Sequence, residues 1–130
     1  MTIDEETLSV IDEKIRETIR LLNEFPFLRT IGSCQGHPEQ VMPLAITFQV
    51  SDEVAWLELC RYVQRGLRKK DLLLNVQHRY FFEIGTSCWE WESFHFAEEH
   101  REELDQTRTE LEQLVRTHLE IFKYQESKEG

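Results

Sequence analysis

Hydrophobic positions near both ends of the chain recur with the spacing of an α-helix. Near the N-terminus they fall three or four residues apart, at Leu8, Ile11, Ile15, Ile19 and Leu22. Toward the C-terminus a similar stripe crosses a highly charged segment, at Leu104, Leu111, Leu114, Val115, Leu119 and Phe122. Because an amphipathic helix buries one such stripe, the pattern predicts a first helix over residues 3–23 and a long last helix over residues 97–124.

The middle of the chain mixes β-prone runs with one further helix. Apolar and polar residues alternate over residues 44–50, which predicts a half-buried strand. Ser51 is a good N-cap, and the helical spacing behind it predicts a helix over residues 52–68. Four more β-prone runs predict strands over residues 27–31, 72–77, 80–84 and 89–96. In the last run tryptophan alternates with glutamate, so the pattern does not show which face is buried.

Together these elements predict one α+β domain over residues 1–130, in the order α-β-β-α-β-β-β-α. We expect a mainly antiparallel sheet with the helices packed on one face. A chain of 130 residues is long enough to bury a core of this kind. The stripe of the last helix has two available partners, the sheet of its own domain or the same helix in a second copy, and the latter predicts a homodimer.

Charge and cysteine usage narrow the class of protein. The formal net charge is -10, which disfavours non-specific binding to DNA or to an anionic membrane. No apolar run approaches the roughly 20 residues of a membrane span. Cys34, Cys60 and Cys88 are odd in number and far apart, and the N-terminal sequence lacks the pattern of a secretory signal. These features predict a soluble, acidic, cytoplasmic protein without disulfides.

The segment at residues 32–38 combines two glycines with a thiol, an amide and an imidazole. It predicts a glycine-rich loop between two strands, which either directs backbone N–H groups at an anion or sets Cys34 beside His37 so that the thiol ionises more readily. In an enzyme Cys34 would be the nucleophile and His37 its base. A plain turn with a buried Cys34 is the alternative. The candidate ligand-binding residues are Ser33, Cys34, Gln35, Gly36 and His37, together with Trp89 and Trp91.

The sequence also contains part of a metal-binding pattern and a cluster of aromatic residues. The spacing Cys34-x-x-His37 is one half of a zinc site, and Cys88 or His95 would have to complete it. Because no second pair of ligands accompanies it, the sequence predicts no metal centre. Trp89 is part of an aromatic cluster that could stack a planar ligand, although the core of a small sheet needs the same residues.

Residues 30–37, with the sequence T-I-G-S-C-Q-G-H, resemble the T-x-S-S-C-S-G-R stretch of the wybutosine-synthesis methyltransferase family. The resemblance implies an α+β domain that uses S-adenosylmethionine to methylate a modified guanosine of transfer RNA, with Ser33, Cys34 and Gly36 on the matching positions. Gly32 stands where the family has a serine, and His37 where it has an arginine. The segment is equally similar to small uncharacterised bacterial domains with an S-C-x-G-H loop, which imply a fold and no activity.

Three functions are therefore compatible with the sequence. The first is a domain that binds a small molecule or protein partner through residues 33–37. The second is an enzyme, either a methyltransferase of the kind just described or a thiol-dependent catalyst. The third is an interaction protein that acts through its last helix. A concave surface at residues 33–37 would favour the first two.

Overall fold

Four strands form one antiparallel sheet in a computed structural model that describes residues 3–94 and 97–129. Their order across the sheet is β1-β2-β4-β3, so that β1 and β3 lie at the two edges. The strands are β1 (Leu28–His37), β2 (Met42–Val50), β3 (Leu74–Phe81) and β4 (Thr86–Ser93). The predicted α+β class with an antiparallel sheet is confirmed.

The strand count differs from the prediction because the β-prone runs at residues 72–77 and 80–84 are a single strand. His78 and Arg79, which were expected to separate them, continue the pairing of β3 with Trp89 and Cys88 of β4. Strand β4 ends at Ser93. The predicted strand residues His95 and Phe96 lie outside the described residues.

The N-terminal stripe forms two short helices, α1 (Glu5–Ser9) and α2 (Arg16–Leu22), joined through a 3-10 turn. The predicted continuous helix over residues 3–23 is wrong at its centre. The chain leaves the helical path near Asp12, where side-chain hydrogen bonds stand in place of helical ones. The Asp12 carboxylate accepts the N–H of Gln35, and the Arg16 guanidinium donates to the free Ile11 carbonyl at 2.9 and 3.2 Å.

Two longer helices complete the fold, α3 (Glu53–Arg68) and α4 (Arg101–Glu129). The last helix begins a turn later than residue 97 and runs beyond residue 124. Its stripe packs inside its own domain, since the central residues are buried in the same cluster as α2, α3 and the sheet: Leu104, Leu111, Val115 and Leu119. A homodimer through this stripe would have to displace these contacts. Within the described ranges, no helix combines the length and the apolarity that a membrane span requires.

One face of the sheet and the helices form the hydrophobic core. Trp91 is 0% exposed, stacks on Trp56 of α3 at a centroid distance of 5.4 Å, and donates its indole N–H to the Cys60 sulfur at 3.3 Å. Strand pairing places Ile46 and Phe48 on the same face as the tryptophans of β4. The helices therefore cover the tryptophan face of β4.

The opposite face, here called the open face, is mainly polar. Glu90 points to this face and yet is only 5% exposed. Its carboxylate accepts a hydrogen bond from the Gln77 amide at 2.5 Å and lies 3.4 Å from the Arg79 guanidinium and 3.5 Å from the Thr47 hydroxyl. Neighbouring polar side chains, rather than a helix, therefore bury Glu90.

Protonation of His118 in α4 is expected to destabilise the fold. Its ring packs between Phe25 and Tyr62, and Nδ1 is buried without a hydrogen-bond partner among the described residues. Burial lowers the pKa of His118, while the negative charge of Glu58 acts in the opposite direction. The unfolded chain therefore binds the proton more tightly. Stability should be complete above about pH 6.5 and should decrease as the pH falls below it.

Urea unfolding at about pH 7.5 and about pH 5.5 measures this effect. The variant His118→Phe keeps an aromatic ring of similar shape and has no group to protonate. It should lose less stability than the wild-type protein between the two pH values. Equal losses in the two proteins would contradict the role of His118.

Candidate functional site

The predicted glycine-rich loop at residues 32–38 is wrong, because β1 stays paired with β2 as far as His37. Two irregularities stand in place of the expected turn: the pairing register shifts between Thr30 and Gly32, and Gly36 has a φ of 92°. Glycine permits such conformations within a strand, where they bend it without ending it. The residues singled out from the sequence therefore lie on a strand at the edge of the sheet.

The break in the N-terminal helix brings Asp12 to this edge. An edge strand has backbone groups that are not paired with a neighbouring strand. In β1 the N–H of Gln35 donates to Asp12 Oδ2 at 3.0 Å, and the side-chain oxygen of Gln35 accepts the N–H of Lys14 at 2.9 Å. These two hydrogen bonds fix Asp12 beside the C-terminal half of β1.

Asp12, Cys34 and His37 form a compact cluster. A carboxylate oxygen, the thiol sulfur and one ring nitrogen of these residues all lie within 4.8 Å of one another. Nε2 of His37 is 3.7 Å from Asp12 Oδ2, and its Nδ1 is 3.6 Å from Oε1 of Glu39. All three members are partly exposed, so that the cluster is accessible from solvent.

Helix α4 packs against the C-terminal half of β1. A Cβ atom on Gly36 would lie 2.9 Å from Leu104 Cδ2 and 3.0 Å from the backbone nitrogen of Leu44, so only glycine permits this close approach. The nearly buried Arg108 donates from Nη1 to the Gln35 carbonyl at 2.8 Å. The cluster is thus built on a strand that packing and hydrogen bonds hold in place.

The other candidate ligand-binding residues occupy different surroundings. Ser33 is exposed on β1, whereas the backbones of Gln35 and Gly36 make the structural contacts described above. Trp89 stacks on His78 at 4.6 Å, and Trp91 is buried in the core. Since β2 separates β4 from β1, the structure does not bring the two tryptophans together with Cys34 and His37.

Sequence reasoning missed Asp12 and Glu39. Asp12 lies far upstream of Cys34 and belongs to no local motif with it. Glu39 offered a weak signal, since it follows His37 by two positions. Of the two residues that the sequence offers to complete a zinc site, Cys88 is buried on β4, outside the cluster, and His95 falls outside the part of the chain that is described.

Two kinds of chemistry use these residue types. A thiol nucleophile needs one imidazole nitrogen directed at the thiol and the other held by an orienting group. In this cluster each ring nitrogen of His37 instead faces a carboxylate. A metal site fits better, because thiolate, imidazole and carboxylate are all ligands of zinc, and a carboxylate commonly binds the second nitrogen of a metal-bound histidine.

The fold and the cluster together define an α+β domain with a thiol, an imidazole and a carboxylate at the edge of its sheet. No family model, curated protein or solved structure matches the chain. The resemblance of residues 30–37 to the wybutosine-synthesis methyltransferases therefore stays an expectation from the sequence, and so does the use of S-adenosylmethionine that it implies.

Proposed function

We propose that this protein is a metal-binding domain that holds a divalent transition-metal ion, preferably Zn²⁺, between Asp12, Cys34 and His37. The observation that carries the proposal is the convergence of their three ligand atoms within 4.8 Å. Around a tetrahedral zinc ion, sulfur and nitrogen ligands lie about 3.5 Å apart. Metal binding at the cluster therefore requires rotation of these partly exposed side chains.

The donor set decides the class of ion. Mg²⁺ and Ca²⁺ prefer oxygen ligands, whereas a thiolate with an imidazole favours Zn²⁺ and related ions. Three protein ligands leave one tetrahedral position for water or an external ligand, as in sites that bind or transform a substrate. This role agrees with the ligand-binding function predicted for residues 33–37.

The groups around the three ligands support the same role. Glu39 lies beside Nδ1 of His37, where it can accept the ring N–H and leave Nε2 free for the metal. The Gln35 N–H orients the Asp12 carboxylate. The net charge of -10 also favours the approach of a cation.

Labelling of Cys34 with a thiol reagent tests the proposal, because the other two cysteines are buried. Burial raises the pKa of the Cys60 thiol to about 12 and also raises the pKa of Cys88, so both react slowly near neutral pH. One equivalent of Zn²⁺ should slow the labelling of Cys34 roughly tenfold or more, since a metal-bound thiolate is a poor nucleophile. Mg²⁺ should leave the rate unchanged.

Variants show whether the protection comes from the cluster. Asp12→Asn and His37→Ala should each weaken zinc affinity, measured by calorimetry, by at least about tenfold. Glu13→Gln is the matched control, because it removes the same charge from the exposed residue next to Asp12. The proposal fails if Zn²⁺ leaves the labelling rate unchanged or if Glu13→Gln weakens binding as much as Asp12→Asn. A parallel titration with S-adenosylmethionine tests the family resemblance.

A further inference from the structure

A second concave surface lies on the open face of the sheet. The turn of the β3–β4 hairpin and the middle of β1 line the same groove, although β2 lies between β4 and β1. Its volume is about 370 Å³, which falls within the usual range of small-molecule sites, roughly 300–1,000 Å³. This surface, here called the open-face groove, shares no residue with the Asp12–Cys34–His37 cluster.

Apolar side chains concentrate in the groove although the rest of the open face is mainly polar. Ile31 of β1 and Ile84 of the hairpin turn line it and are 37% and 54% exposed. Phe81 adds an aromatic ring, and the Arg79 guanidinium lies 4.5 Å from the centroid of that ring. Exposed apolar groups from two separate elements therefore meet in one concave surface.

Gly32 leaves the groove open at β1. Its φ lies outside the left-handed region, so the backbone does not require glycine. A Cβ atom there would meet only Thr47, at 3.9 Å or more, which is ordinary van der Waals contact. A side chain would therefore fit at this position. Because glycine has none, a flat ligand can reach the backbone of β1.

The charge of the groove indicates what it binds. Among the described residues that line it, Glu83 is the only charged one. The arginines of the open face have other partners, since Arg29 donates to Gln49 and Arg79 lies next to Glu90. A single carboxylate beside apolar walls is complementary to a cation with an apolar body.

We propose that the open-face groove binds a small planar aromatic amine. The ring of the ligand lies over Gly32 and beside Phe81, where an aromatic ring offers stacking or edge contacts. The ammonium group pairs with the carboxylate of Glu83, and the Thr47 hydroxyl supplies a neutral hydrogen-bonding group in the same groove. This binding needs no metal ion.

A pair of probes with the same ring system and opposite charge tests the proposal. Tryptamine should shift the backbone amide resonances of Gly32 and Thr86 in a ¹⁵N NMR titration and should saturate below about 1 mM. Indole-3-acetate should bind at least about tenfold more weakly, because its carboxylate meets Glu83. Equal affinities, or no shift at these residues with tryptamine, would overturn the proposal.

Two variants and a control locate the binding. Gly32→Leu should fill the groove and abolish the tryptamine shifts. Glu83→Gln, in an exposed turn where the change does not threaten folding, should weaken tryptamine binding at least about fivefold. Glu92→Gln removes the same charge from the open face outside the groove and should leave binding unchanged. Wild-type affinity in Glu83→Gln, or an equal loss in Glu92→Gln, would contradict the site.

The metal proposal and the groove proposal can be tested separately, because either can be wrong while the other holds. Tryptamine binding should be the same with one equivalent of Zn²⁺ and with a chelator present, because the groove and the cluster share no residue. If the chelator abolishes tryptamine binding, the ligand binds at the metal cluster, and the groove proposal is wrong.

Discussion

Replacing Leu111 with aspartate should unfold the protein. Leu111 is 0% exposed, at the centre of the stripe by which α4 joins the core. The substitution removes a buried leucine, worth about 2–5 kcal/mol, and adds an unpaired carboxylate that is costly to bury. Since small proteins have only about 5–15 kcal/mol of stability, we expect no cooperative thermal transition by circular dichroism.

The matched control is Gln113→Asp, which places the same side chain on an exposed position of the same helix. It should change the melting temperature little, because surface substitutions usually alter stability by less than about 0.5 kcal/mol. If Leu111→Asp instead keeps the wild-type melting temperature and elution volume, the stripe of α4 does not belong to the core.

Replacing Gly36 with alanine should destabilise the protein by roughly 2–5 kcal/mol. The φ of 92° at Gly36 is unfavourable for any residue with a Cβ atom. That atom would also lie 3.0 Å from the backbone nitrogen of Leu44 and 2.9 Å from Leu104. The Leu44 nitrogen belongs to the backbone of β2 and cannot rotate away as a side chain can. To make room, β1 must therefore shift relative to β2 and α4. Urea unfolding measures the change.

Gly32→Ala provides the comparison on the same strand. This position has no positive φ and no contact closer than 3.9 Å, so alanine should be neutral or stabilise by about 0.4–1 kcal/mol through the unfolded state. Similar unfolding midpoints for the two variants would show that Gly36 does not hold the close approach of β1 and α4. Reduced zinc affinity in Gly36→Ala alone would link this packing to the metal cluster.

Three periodic segments, two in the middle of the chain and one at its C-terminal end, were predicted well from the sequence. The helix expected over residues 52–68 is α3, Glu53–Arg68, and the strand expected over residues 44–50 lies within β2, Met42–Val50. In these segments the local propensity, the apolar spacing and the packed face all indicate the same structure. The long C-terminal helix was predicted for the same reason.

Predictions failed where a neighbouring segment decides the local structure. Gly32 and Gly36 indicated a loop, but pairing with β2 keeps both in a strand. The alternating tryptophans and glutamates of β4 left its buried face undecided. The structure buries Trp91 under the helices. The Glu90 carboxylate, on the other face, accepts a hydrogen bond from Gln77 on the adjacent strand. Neither interaction is visible in the sequence of the segment itself.

In the candidate site too, some features follow from the local sequence and others only from the tertiary structure. The sequence by itself determined only that Cys34 and His37 lie three positions apart. Residues at this spacing point to opposite faces of a regular strand, so their closeness depends on the local structure around Gly36, whose φ is 92°. Only the tertiary structure added Asp12, because the carboxylate reaches β1 through a break in a helix that periodicity alone predicts to be continuous. That break exists because the edge strand offers an unpaired N–H at Gln35, and satisfying it favours a hydrogen bond with Asp12 over another helical turn.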